Sequence, residues 1–357
     1  MSRSVYLHVG APKTGTTYLQ DRLALNAKSL ADHHVYFPTK SPLVSPGLFQ
    51  FRAALDLLDQ DWGGKPGHAR GSWDSLVRKV RRLSGTVVIS HEILAPALPA
   101  TIAKAKQDLG NVEVHIVYSA RDLGRQLPAA WQESVKQGRK WSFKRYLDRV
   151  ENRRPWFARA FDLPKVLGNW SAGLPPAQVH VVTVPHERSD SLWRRLCQAF
   201  GIDPAWAPEE SARHNVSLGV VETQLIRQLN RRMDRVTRRE SSFDELIRGM
   251  LAEDRLMQGR SAPLLLPPRM HAWAEAEADR WVDWIKGSGI DVVGEVDDLY
   301  PAPPVPEEEW IDPDLVRPKK QLAAALDALS AMTREAARRP DPDDALVAKV
   351  RRATRRD

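Results

Sequence analysis

The apolar positions of this chain follow two periods that alternate along its first two hundred residues. Val5, Tyr6, Leu7 and Val9 make a short apolar run, and so do 86–90 (TVVIS), 112–119 (VEVHIVYS) and 178–184 (QVHVVTV). Runs of that length, rich in β-branched residues, predict strands buried on both faces. Between them the spacing becomes helical. Leu19, Leu23, Ala27 and Leu30 share one face, and Leu76, Val77, Val80 and Leu83 form a second stripe that stops at Gly85. Helical stretches also cover 99–109 and 192–200, the latter ending at Gly201. Strands alternating with helices predict an α/β fold on a mostly parallel β-sheet with right-handed crossovers.

The second half reads as helical. Leu218, Val221, Leu225, Leu229 and Met233 are spaced for one face, and Ser242-x-x-Glu245 has the form of a capping box. Ala274, Ala278, Trp281 and Ile285 line a further stripe that ends near Gly287. Pro301–Pro306 (PAPPVP) reads as a linker before an Ala/Leu-rich helix from about Lys319 and a charged tail. The expected organisation is an α/β domain over 1–300 with a helical second half, then a Pro-rich linker and charged helical tail over 301–357.

Composition excludes more than it adds. At 357 residues and 42% hydrophobic content the chain can bury a sizeable core. It has no apolar run of about 18 residues, so no membrane span is expected. The N-terminus passes straight from Ser4 into a strand, without a signal peptide's apolar stretch. The lone Cys197 rules out an internal disulfide and fits a reducing, cytoplasmic compartment. It follows Leu192 and Leu196 on a helical pattern, which favours a packed thiol over a nucleophile. The net charge of +8 owes much to Arg231, Arg232, Arg235, Arg238, Arg239 and the closing RRATRR. Solvated helix faces and a tail account for it. With no zinc-finger spacing and no RNA-binding aromatic signature, no nucleic-acid partner is expected. His33, His34, His180, His186, His214 and His271 lack metal-ligand spacing, so no metal is expected either.

The chemistry begins where the first strand ends. Gly10 to Thr17 reads GAPKTGTT, a glycine-bounded turn between a strand and a helix start. Main-chain N–H groups from Thr14 to Thr17 and the hydroxyls of Thr16 and Thr17 can cradle a phosphate there, because the first N–H groups of a helix have no partner within it. The nucleoside-triphosphate version of such a loop is G-x-x-x-x-G-K-[ST]. Gly10 and Gly15 keep its glycine spacing, but Thr16 stands in the lysine's place and the lysine is Lys13, inside the loop. Two more segments follow strand ends, Ser90-His91-Glu92 and Ser119–Asp122. In sheets of this kind ligands sit beyond the carboxyl ends of the strands, so the three can converge on one crevice.

The stretch GAPKTGTTYLQ resembles the 5′-phosphosulfate loop of the sulfotransferases that use 3′-phosphoadenosine 5′-phosphosulfate. The likeness covers about residues 1–205 in element order. It implies a P-loop-like sulfotransferase fold, that phosphosulfate as co-substrate, and transfer of a sulfuryl group to an acceptor hydroxyl on a carbohydrate or small metabolite. Lys13 would supply charge near the bridging oxygen as sulfuryl leaves, and Thr14, Gly15, Thr16 and Thr17 would hold the 5′-phosphate. Arg121 matches the arginine that grips the 3′-phosphate, for which a planar guanidinium is suited. The serine that assists eight residues later is replaced by Ala129, with Ser119 and Ser134 as nearby hydroxyls. The acceptor's proton needs a base. His91, directly after the 86–90 strand and Ser90, is similar to the histidine base of one branch and is the favoured candidate. Other branches use a glutamate, which makes Glu92 the second candidate or the group that orients His91. Asp122 is expected to cap the following helix or pair with an arginine. The stretch 141–176 is long for a crossover and could cap an acceptor pocket, with core packing the expected role of Trp131, Trp141 and Trp156 taken singly. The rival readings are a P-loop nucleotide or metabolite kinase and a catalytically degenerate nucleotide-binding module.

Overall fold

Six strands form one sheet in the order β2-β3-β1-β4-β5-β6, with every neighbouring pair parallel. They are β1 (Arg3–Gly10), β2 (Val35–Tyr36), β3 (Gly85–Ser90), β4 (Glu113–Ala120), β5 (Val179–Thr183) and β6 (Asp291–Val293). This is the computed structural model, which describes residues 3–40, 44–152, 156–187, 190–211, 217–234, 236–237 and 261–338. The four strands read from apolar runs are all present, and the fold is α/β with a mostly parallel sheet flanked by helices. β2 and β6, the two edges, have only two and three residues and were not expected.

Thirteen helices belong to the described residues. The first five are α1 (Thr16–Leu25), α2 (Ala27–Asp32), α3 (Pro46–Leu57), α4 (Ser72–Val80) and α5 (Pro99–Leu109). α6 (Leu123–Lys136), α7 (Phe143–Glu151), α8 (Trp156–Phe161), α9 (Leu163–Trp170) and α10 (Ser191–Phe200) follow. The last three are α11 (Val220–Arg232), α12 (His271–Ser288) and α13 (Pro318–Arg338). Their ends follow local chemistry. α5 opens on a proline, whose missing N–H costs nothing there, and α10 stops at Gly201 in the left-handed region with φ 63. α12 runs past Gly287 to a left-handed Gly289. Ser242-x-x-Glu245 and the tail from 339 lie outside the described residues.

By contacts the chain divides into two units, neither of them a single stretch. The first comprises Met1–Trp131, Ser142–Asn215 and Leu265–Trp310 and holds the whole sheet. Its core on one sheet face joins Leu19 and Leu23 of α1 to Val88, Val117 and Val182 and to Trp193, Cys197 and Phe200 of α10. In the crossover over 141–176, Phe143, Tyr146, Leu147 and Val150 are buried, and Trp131 packs in the core with its ring 4.9 Å from Phe143 and tilted by 43° to it. The second unit comprises Gln132–Trp141, Val216–Leu264 and Ile311–Asp357. There α11 packs on α13, Arg227 pairs with Asp314 at 3.2 Å, and Asn230 donates to the Val135 oxygen at 2.7 Å. The residues of the Pro-rich segment up to Trp310 group with the first unit and those from Ile311 with the second. No described helix is long and apolar enough to cross a membrane.

Candidate active site

β1 lies at the centre of the sheet, between β3 and β4, and the chain turns from one side of it to the other between those two strands. The carboxyl end of β1 is therefore the switch point at which such sheets bind ligands. The loop that leaves it is held from several directions. Ala11 N–H donates to the Ser119 oxygen at the end of β4 at 2.7 Å. The Thr14 hydroxyl donates back to the Ala11 oxygen at 2.6 Å. Gln126 of α6 donates its amide to the Pro12 oxygen at 2.8 Å, and Arg121 Nη1 donates to the Lys13 oxygen at 3.1 Å. Three successive carbonyls, which would repel an anion, thus each accept from a donor.

The loop ends at Gly15, the N-cap of α1, in the left-handed region with φ 97 and ψ 15. That backbone conformation favours glycine, and a Cβ there would meet only the end of the Leu192 side chain, at 2.9 Å. Lys13 holds φ 67, where non-glycine residues are uncommon. No side chain caps α1 and its first turn carries no acidic residue. The Thr16 hydroxyl is buried, with the residue 4% exposed, and has no hydrogen-bond partner. An orphaned buried hydroxyl costs about 1–3 kcal/mol, and it lies here beside the first N–H groups of a helix, which have no partner within it.

At the end of β3 the structure places His91 and Glu92 beside the loop's strand, with His91 N–H donating to the His8 oxygen at 3.1 Å. His91 Nδ1 accepts from Ile93 N–H at 3.3 Å and so caps the 3₁₀ turn Glu92–Leu94. The proton of the neutral ring then belongs on Nε2. Burial pushes the His91 imidazole below its ordinary range, and the carboxylate of Glu92, 3.8 Å from Nδ1, opposes this. Glu92 is the more exposed of the two, at 30% against 13% for the side chains.

At the end of β4, Asp122 is fully buried and accepts from Arg125 N–H at 2.9 Å and from the Arg125 guanidinium, capping α6 and pairing with an arginine as expected. Arg125 continues to the Pro185 and Val184 oxygens at 2.7 and 3.0 Å. Ala129 lies within α6. Ser119, one of the hydroxyls near it in sequence, is committed elsewhere: its Oγ lies 2.9 Å from His8 Nε2. His8 Nδ1 in turn lies 2.8 Å from Ser90 Oγ. This histidine, 1% exposed on the central strand, is pushed down to about 3 by burial, with the nearby His91 acting in the same direction.

His8 and Gln126 escaped the sequence reading. The signal for His8 was available, a polar ring between Leu7 and Val9 in an apolar strand. Gln126 offers none, since a glutamine on a helix is ordinary. His180, which lacks metal-ligand spacing in the sequence, hydrogen-bonds His115 Nδ1 at 2.9 Å and Asp291 at 2.7 Å near the strand starts. Among the described residues no group of three or more His, Cys, Asp or Glu is arranged to hold a metal.

No protein-family profile matches this chain, and no curated protein matches it. A crystal structure of a sulfotransferase from Alicyclobacillus acidocaldarius is a distant, partial match. The alignment covers 68% of this chain and 96% of that one, at 16% identity and a TM-score of 0.36. A likeness of that size assigns neither substrate nor mechanism.

Proposed function

We propose that the chain is a sulfotransferase that moves a sulfuryl group from 3′-phosphoadenosine 5′-phosphosulfate to an acceptor hydroxyl on a carbohydrate or small metabolite. One observation carries the reading. The buried, unpartnered Thr16 hydroxyl sits at the uncapped start of α1, behind a loop whose carbonyls are already held by donors. Such a position suits a phosphate. Thr16 in place of the usual lysine, with Lys13 inside the loop, favours a phosphosulfate over a triphosphate.

In this reading the N–H groups from Thr14 to Thr17, with the Thr16 and Thr17 hydroxyls, hold the 5′-phosphate. Lys13 stabilises the charge that grows on it as the sulfuryl group leaves. Arg121 holds the 3′-phosphate and, through its bond to the Lys13 oxygen, keeps that grip in register with the loop. Glu92 is favoured over His91 as the base that takes the acceptor's proton, because Nδ1 of His91 is already spent on the Ile93 N–H.

Thermal unfolding tests the donor. 3′,5′-Phosphoadenosine should raise the melting temperature where ATP with magnesium does not, since binding at a hundredfold excess over Kd stabilises by about 2.7 kcal/mol. An equal or larger shift with ATP turns the reading towards a kinase. Binding of the bisphosphate with no transfer to any hydroxyl compound turns it towards a binding module.

A further inference from the structure

The two arms of the site leave the sheet on either side of β1, and the pairing of β1 with one of its neighbours is irregular just where the site begins. β1 and β4 pair in register up to His8 and Val117, then shift, so that Gly10 faces Tyr118. Ser119, still paired with Val182 of β5, lies just beyond that irregularity, where the main chain crosses again by the Ala11 N–H to Ser119 oxygen bond at 2.7 Å. The His8 side chain adds a second tie across it, at 2.9 Å to Ser119 Oγ, while its other nitrogen reaches Ser90 Oγ at 2.8 Å on the opposite neighbour, β3. We propose that His8 is a positioning residue that sets the spacing between the anion-holding arm of the site, through Ser119, and the proton-accepting arm, through Ser90. The inference rests on the reading above only for the roles of the two arms.

Each serine fixes its arm through its own backbone. The Ser119 oxygen accepts from Ala11 at the start of the loop, and Arg121, two residues on, bonds the loop at Lys13. The Ser90 oxygen accepts from the Gln20 amide at 2.6 Å, and His91 and Glu92 follow directly. A neutral imidazole donates from one nitrogen and accepts at the other, so it joins two hydroxyls at a set distance that two separate bonds would not enforce. Stability alone does not call for such a trio. The trio is at most 1% exposed, with the Phe200 ring 6.4 Å from that of His8, and a polar trio replaced by apolar groups of the same shape can be nearly neutral in energy. A satisfied buried polar network does specify one arrangement of the strands that carry it.

The two ring nitrogens can be removed separately. Asparagine places its amide near the position of Nδ1, and glutamine near that of Nε2. His8→Asn should keep the Ser90 bond and lose Ser119, and His8→Gln the reverse. Calorimetry with 3′,5′-phosphoadenosine and with inorganic sulfate reads the anion arm, and the nuclear magnetic resonance titration of the His91 ring reads the other. His8→Asn and Ser119→Ala should weaken both anions roughly tenfold while leaving the His91 titration in place. His8→Gln and Ser90→Ala should move that titration by about 0.5 pH unit or more and leave anion affinity within about threefold. Parallel loss of both readouts in both histidine variants, or loss of neither, overturns the inference. If one histidine variant fails to fold, the two serine variants decide the same question. A wild type that binds sulfate but not the nucleotide overturns the proposed function and leaves the split to decide this point. A wild type that binds neither overturns both.

Discussion

Arg121 Nη1 donates to the main-chain oxygen of Lys13 at 3.1 Å, so the two cations of the site are joined through the backbone of one of them. That bond survives any substitution of the Lys13 side chain. Lys13→Ala should therefore depress turnover by about 10²–10³, the usual cost of one electrostatic contact to developing charge, with a much smaller loss in donor affinity. Lys13→Gly should lose as much activity yet melt higher than Lys13→Ala, because φ 67 costs alanine about 1–2 kcal/mol and glycine nothing. A change confined to KM would make Lys13 a uniform binder.

Thr16→Val separates function from stability. The valine removes a buried hydroxyl that has no partner, so the unliganded protein should gain about 1 kcal/mol. The same change should weaken binding of 3′,5′-phosphoadenosine and of sulfate. Denaturant unfolding with and without ligand measures both signs. A loss of stability in the unliganded variant would mean that the hydroxyl has a protein partner.

The buried His8 makes the fold sensitive to acid. Above about pH 6.5 the ring is neutral in both the folded and unfolded chains. Below that the unfolded chain takes up a proton which the folded chain refuses until about 3. The stability that depends on this neutral ring is full above 6.5 and falls as pH drops, by about 1.4 kcal/mol per unit. His91, also lowered by burial, adds in the same sense. Unfolding free energies between pH 7.5 and 5 should show this slope, and His8→Gln should flatten it. An unchanged slope in the variant would show that His8 does not carry the effect.

Cys197 is fully buried and its thiol is pushed up to about 12 by burial. A disulfide reagent at pH 8 should leave the folded protein unmodified, since the thiolate is the reactive form. Labelling should appear only with global unfolding and follow its rate. Fast labelling under native conditions would mean that the packing of α10 opens locally.

The parts of the fold legible from sequence are those where one signal had room to repeat. The runs at Val5–Val9 and 112–119 are buried on both faces, so they stay apolar for long enough to be read as strands. Val35–Tyr36 and Asp291–Val293 are too short for any period, and their pairing with β3 and β5 is settled by what lies around them. In the site, Gly10, Lys13 and Gly15 were legible because a loop with a left-handed turn and a helix start has few chemical solutions. The hold on that loop was not. Ser119 and Gln126 reach it from more than a hundred residues away in sequence, and no local pattern encodes the contacts. His91 shows a different limit. Its position after a strand was readable, but its engagement as a cap through Nδ1 depends on the turn that follows.

The sheet's closing strand has a consequence for truncated versions of the chain. β6 pairs with β5 through Asp291–Val293, and the unit that holds the sheet is completed only by Leu265–Trp310. A fragment that stops before Asp291 would leave VHVVT, five buried and mostly β-branched residues, with a bare row of amides and carbonyls. Such an edge invites a second molecule to complete it. Shortened versions that stop before Asp291 yet keep every residue of the loop and both strand-end arms should still aggregate on expression, while the full chain should not.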